Sequence, residues 1–76
     1  MTRVRILRYL VTVPDASAAD VATALRISPP TAGMALLRLA RNGLVIRTFD
    51  PGRDRLFYAL TRRGEARLRF LERRGS

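Results

Sequence analysis

The chain has 76 residues, enough for one small domain spanning 1–76 and no second fold. Fifteen basic residues against six acidic ones give a net charge of +9, and a hydrophobic content of 47% excludes a disordered chain. There is no long uncharged apolar run to cross a membrane, and Met1-Thr2-Arg3-Val4-Arg5-Ile6-Leu7-Arg8 is too charged for the apolar part of a signal peptide.

Helical spacing runs through residues 3–13, where Val4, Leu7 and Val11 form one apolar stripe and Ile6, Leu10 and Val13 another. Pro14 ends this helix. Ser17 followed three residues later by Asp20 has the form of a capping box, and opens a second helix that carries Val21, Ala22 and Leu25. After a link at Arg26 and Ile27, Ser28 reads as the N-cap of a third helix, with Pro29 at the first helical position, where a missing N–H does no harm. Asn42-Gly43 stops that helix, since glycine accepts the left-handed conformation of helix C-termini. Residues 44–49 and 56–60 are short runs rich in β-branched, aromatic and leucine residues. The turn-forming hexapeptide Asp50-Pro51-Gly52-Arg53-Asp54-Arg55 lies between them, which predicts a β-hairpin with a charged tip. Thr61 caps a last helix that runs through Leu68 and Leu71 towards Arg74.

Two helices joined by a short link, the second opening on a polar cap, describe a helix-turn-helix. With a hairpin directly afterwards, the expected fold is mainly α with a small β-hairpin: a winged helix-turn-helix with a three-helix core, a two-stranded wing and a C-terminal helix. Three segments resemble the winged helix-turn-helix transcription regulators, especially the MarR-like and PadR-like groups. They are Ala19-Asp20-Val21-Ala22-Thr23-Ala24-Leu25-Arg26-Ile27-Ser28, Leu36-Leu37-Arg38-Leu39-Ala40-Arg41-Asn42-Gly43-Leu44-Val45 and Gly52-Arg53-Asp54-Arg55-Leu56-Phe57-Tyr58-Ala59-Leu60-Thr61-Arg62-Arg63-Gly64. Arg26 departs from the pattern, which usually has glycine in the turn. The resemblance implies a DNA-binding transcriptional regulator whose third helix lies in the major groove of double-stranded DNA.

On that helix Ala32, Ala35, Leu36 and Leu39 share the inward stripe, and Pro30, Gly33, Met34, Leu37 and Arg41 the opposite face. Base readout calls for polar groups aimed at base edges, and this face has few. Thr31 and Arg38 flank it, Gly33 permits close approach, and Met34 either touches a thymine methyl or, with Leu37, meets another protein surface. The latter describes a basic adaptor in a larger assembly. Arg53 and Arg55 at the wing tip suit a minor groove, with Asp54 bracing the loop through Arg47 or a wing arginine; the bland alternative is a solvated turn whose charge blocks edge pairing. Arg62 and Arg63 open the last helix, where they oppose the macrodipole, so phosphate contact is the expected use. The candidate DNA-binding set is therefore Ser28, Pro30, Thr31, Gly33, Met34, Arg38, Arg41, Arg53, Arg55, Arg62 and Arg63.

Small domains seldom draw more than about 3–5 kcal/mol from one core, and cysteine and histidine are both absent, so neither disulfide nor structural zinc supports this one. A homodimer through Ile6, Leu10, Val13, Leu68 and Leu71 would bury the apolar surplus of the terminal helices; a thicker single core roofed by the last helix is the alternative. Without histidine, cysteine or paired carboxylates, no enzyme, cofactor or metal site is expected. RNA stacking is the weaker nucleic-acid reading, because Phe49, Phe57 and Tyr58 fit a hairpin core. The expected location is the cytoplasm of a prokaryote, at the nucleoid; no small-molecule effector is legible.

Overall fold

The helices of the core are bounded by local devices, mostly hydrogen-bonded caps. The computed structural model describes residues 2–75. Helix α1 (Thr2–Thr12) stops before Pro14, and the Thr12 hydroxyl donates back to the Tyr9 carbonyl at 2.9 Å. Helix α2 (Ala18–Leu25) opens on a complete capping box: the Asp20 amide donates to Ser17 Oγ at 3.1 Å, and the Ser17 amide to Asp20 Oδ2 at 3.0 Å. It closes on Arg26, held in the left-handed region at φ 58°, where its N–H caps the Ala22 carbonyl. Helix α3 (Pro29–Arg41) starts from Ser28, whose Oγ accepts from the Thr31 amide at 3.3 Å, and ends at Gly43, at φ 75°.

Strands β1 (Val45–Asp50) and β2 (Arg55–Leu60) pair antiparallel from Val45 opposite Leu60 to Asp50 opposite Arg55. The expected six-residue turn is thus four residues, 51–54, because Asp50 and Arg55 form the last rung. A backbone bridge between Ala16 and Tyr58, with N–H···O distances of 3.1 and 2.8 Å, ties the α1–α2 loop to β2. Thr61 then caps helix α4 (Arg62–Gly75): its hydroxyl accepts from the Gly64 amide at 3.0 Å and donates to the Gly43 carbonyl at 2.7 Å. Gly64 passes so close to the Leu44 carbonyl that no Cβ fits between them.

Helix α1 is the centre of the molecule, packed against α2, α3, β2 and α4. That placement corrects the assignment of Ile6 and Leu10 to a partner surface. A helix surrounded by four elements turns residues of both apolar stripes inward, so Leu7 and Ile6 are fully buried and Leu10 is 2% exposed within one chain, and only the C-terminal Val11 of the first stripe faces out. Leu68 of α4 joins the same core, and Val13 and Leu71 pack half-buried at its edge. Among the described residues, the large apolar side chains left exposed on these helices are Val11 and Phe70. The hairpin also departs from expectation. Phe57 and Tyr58 are buried, but Phe49, opposite Leu56 near the tip and beyond the reach of the helical core, is 53% exposed. Arg5 adds a polar tie by donating to the Leu25 carbonyl at 2.7 Å, at the negative end of α2.

Candidate nucleic-acid interface

Helix α3 turns Ala32, Leu36 and Leu39 into the core and leaves Pro30, Thr31, Met34, Arg38 and Arg41 exposed, with Gly33 and Leu37 half-buried. Pro30, Thr31, Met34, Ala35 and Arg38 line, with Thr2 of α1, an open hollow of about 420 Å³. A neighbouring hollow of about 320 Å³ shares Thr2, Ala35 and Arg38 and adds Arg3, Leu39 and Asn42. Little hydrogen-bonding capacity is free at the start of this face, because the Ser28 hydroxyl donates to Thr31 Oγ1 at 2.7 Å while capping the helix. Ser28 is thus chiefly a structural residue, and Thr31 is the polar side chain that the cap presents outward.

At the other end of α3, Arg38 and Arg41 stand in the last turn, where the helix dipole favours cations. The Thr61 cap brings the start of α4 to the same corner: a Cβ on Gly43 would lie 3.1 Å from Arg63 Nη1, so the Arg63 guanidinium lies over that glycine. Arg41, Arg62 and Arg63, separate in sequence, therefore share the α3–β1 junction. Among the described residues, none of them has a carboxylate partner.

The wing separates its two arginines. Arg55 is exposed and likewise without a carboxylate partner among the described residues. Arg53 is engaged: its Nε donates to Asp50 Oδ2 at 2.8 Å, its Nη2 reaches Asp15 Oδ2 at 3.2 Å, and its guanidinium carbon stands 3.8 Å from the centre of the Phe57 ring. The Asp50 carboxylate also accepts from the Gly52 and Arg53 amides at 2.9 and 3.3 Å. The brace is thus Asp50 and Asp15, not Asp54, which sits in the left-handed region at φ 53° as the last turn residue. The hydrogen bond from the Arg53 side chain, followed by that from its amide, holds the Asp50 carboxyl below its ordinary 3.8, and the same side-chain bond raises Arg53 above its usual value.

Sequence reasoning missed Asp15, Asp50 and Phe57 as partners of Arg53, and Thr2 beside Met34. Asp50-Pro51-Gly52 does carry a signal, since aspartate before a turn accepts amides from the residues after it. Asp15 carries none, being 38 residues from Arg53. Among the described residues, no group of three or more metal-ligating side chains is assembled, and no helix is long and apolar enough to cross a membrane.

Residues 1–56 match the MarR family. The chain belongs to the MarR family. Its winged helix superposes on a MarR family transcriptional regulator from Silicibacter pomeroyi with a TM-score of 0.85 and 21% identity, over 95% of this chain and 48% of that one. A further MarR family transcription regulator of known crystal structure is 29% identical, with a TM-score of 0.84 over 99% of this chain and 52% of its own. The Bordetella bronchiseptica regulator BpsR, whose DNA binding is regulated by 6-hydroxynicotinic acid, gives 0.84 at 24% identity over 93% and 51%. The chain spans about half the length of these MarR-type structures. A search of curated proteins finds no match. The expected fold is therefore the observed one, and the expected resemblance to MarR-like regulators is matched.

Proposed function

We propose that this chain is the DNA-binding portion of a MarR-type transcription regulator, engaging double-stranded DNA with α3 in the major groove and the wing beside it. The observation that carries the reading is the exposed outer side of α3, where Thr31, Met34, Arg38 and Arg41 face solvent, with the exposed Arg62 and Arg63 at the start of α4 beyond its C-terminal end. In this docking the arginines neutralise phosphates, Gly33 allows the backbone close, Pro30 and Ser28 border the groove, and Met34 meets a thymine methyl. No catalytic step and no cofactor enters the mechanism, and its setting is the cytoplasm. Nothing in the two hollows selects a small-molecule effector.

A homodimer remains part of the proposal, with a revised surface. Val11 and Phe70, with the half-buried Val13 and Leu71, offer the apolar edge that Ile6, Leu10 and Leu68 do not. Two-fold symmetry would set roughly palindromic half-sites about one helical turn apart. The test is a duplex titration against salt. Neutralising about 6–10 phosphates makes affinity fall about 10³- to 10⁵-fold between 50 and 200 mM salt, and a flat response overturns the proposal. The 54% exposure of Met34 favours a second reading, a protein-docking adaptor. Met34→Asp separates the two: loss of DNA affinity with self-association kept supports the regulator, and loss of a protein partner with DNA affinity kept supports the adaptor.

A further inference from the structure

The outer face of the hairpin holds a cation by three partners from three stretches of chain. Arg53 folds back from the tip to Asp50 and Asp15 and lies on the Phe57 ring. Phe57 stands on the opposite face of the hairpin from Tyr58 and is buried without belonging to the central core, so the guanidinium is part of its cover. Arginine suits this place because its planar fork reaches two carboxylates while its face stacks on an aromatic ring; a lysine ammonium does neither together.

The geometry points to Arg53 as a positioning residue for the wing: through Asp15 it latches the hairpin tip to the α1–α2 loop and fixes where the wing stands relative to α3. Its consequence for binding rests on the DNA-binding reading above. The Ala16–Tyr58 backbone bridge already grips β2, and a hairpin held at one rung can still swing about it. The Asp15–Arg53 pair adds a second tie nearer the tip, made by the residue next to Ala16. The same loop leads directly into α2, and α2 packs on α3, so both ties refer the wing to the helix-turn-helix. Asp50 has the separate task of folding the turn, through the Gly52 and Arg53 amides. Around the tip three carboxylates, Asp15, Asp50 and Asp54, stand against two guanidiniums, Arg53 and Arg55. The tip is therefore not a cationic finger, and Arg55 is the cation it leaves for phosphate.

Exposed ion pairs add little to global stability, so the latch is read in wing order and in binding. The proteins to compare are wild type, Arg53→Lys, Arg53→Gln, Asp15→Asn and the Asp15→Asn/Arg53→Gln double variant. In the free proteins, amide exchange over residues 45–60 should quicken about two- to five-fold in every variant, while core amides of α1 and α3 stay as in wild type. Duplex affinity should fall by a similar factor for Arg53→Lys and Asp15→Asn, with the salt slope unchanged and the double variant no worse than the singles. Three results overturn the latch. The first is wild-type binding by Arg53→Lys together with a loss of about one unit of salt slope in Arg53→Gln, the pattern of a phosphate contact. Tighter binding by Asp15→Asn shows a carboxylate that merely repels DNA, and unchanged wing exchange shows that nothing was latched. If wild type binds no duplex at all, the proposed function fails alone, because wing exchange still decides the latch.

Discussion

Gly64→Ala and Gly33→Ala make the same chemical change on two helices and should move stability in opposite directions. A Cβ on Gly64 would overlap the Leu44 carbonyl oxygen and stand 2.9 Å from Leu60 Cδ2 and 3.0 Å from the Leu44 carbonyl carbon. Two of those three atoms are backbone, so α4 itself must move away. Overpacking of this kind costs about 1–3 kcal/mol. The displaced Leu44 carbonyl also accepts the Thr61 amide at 3.1 Å, and loosening that bond adds about 1 kcal/mol. Alanine returns about 1 kcal/mol of helix propensity, which leaves a net loss of about 1–3 kcal/mol. Against the roughly 3–5 kcal/mol that a core this small supplies, that is a large share. Gly33, in the interior of α3, has no heavy atom beyond its chain neighbours and its own helix backbone within 4 Å of the point where an alanine methyl would stand, so only the propensity remains and Gly33→Ala should gain about 0.5–1 kcal/mol. Urea unfolding followed by circular dichroism reads both as midpoint shifts at constant slope. A Gly64→Ala midpoint at or above wild type would refute the claim that α4 docks through its glycine. If α3 approaches DNA closely at Gly33, that variant should also bind duplex less tightly while being more stable.

Other substitutions test the rest of the fold. Arg26→Gly should stabilise by about 1 kcal/mol, because the left-handed conformation costs a side-chain-bearing residue roughly 1–2 kcal/mol and glycine nothing; a lower midpoint would mean that the Arg26 side chain makes a compensating contact. Ile6→Ala should cost about 2–5 kcal/mol and leave the domain marginal, whereas Val11→Ala, on the 56% exposed side of the same helix, should stay within about 0.5 kcal/mol; equal effects would contradict the inward placement of Ile6. For Asp50 the native value is depressed, so its contribution is complete above the ordinary 3.8 and is lost as pH falls through the lower native value. Arg53 stays charged throughout that window. A carboxyl NMR titration should place Asp50 below 3.8, with protection of the Gly52 and Arg53 amides lost in step. Protection lost at higher pH would separate the turn from this carboxylate.

Local chemistry made most of the fold legible. The Ser17–Asp20 capping box, Ser28 before Pro29, the Asn42-Gly43 stop and the Thr61 cap each bind groups within three residues or mark a backbone conformation, so the sequence displays both halves of each device. What it does not display is how many neighbours surround a helix. Two apolar stripes on α1 read equally as one core stripe plus one partner stripe, or as two core stripes. Only the central placement of α1, which depends on where α4 returns, decides for the second. The wing failed for the same reason. Counting Arg53 and Arg55 as equal cations is sound only if neither finds a carboxylate, and Asp15 approaches through the tertiary fold.

The distribution of the remaining charge bears on what the proposed docking can discriminate. In helix-turn-helix docking the first residues of the recognition helix reach the base edges, and a good bidentate contact there is worth about 1–3 kcal/mol of discrimination. In α3 those residues are Pro29, Pro30 and Thr31, with the Ser28 hydroxyl engaged in its cap. The two guanidiniums of the helix, Arg38 and Arg41, stand in its last turn, Arg38 beside Thr2 and Arg3 and Arg41 next to the junction where α4 begins, and both suit backbone phosphates. Direct readout is then carried by one threonine hydroxyl and by apolar contact from Met34, which leaves sequence-dependent groove shape as the larger source of selectivity. A duplex panel that varies single base pairs at constant groove geometry should therefore change affinity less than a panel that varies minor-groove width beside Arg55. The reverse ranking would place a base-reading contact on α3 that its exposed residues do not supply.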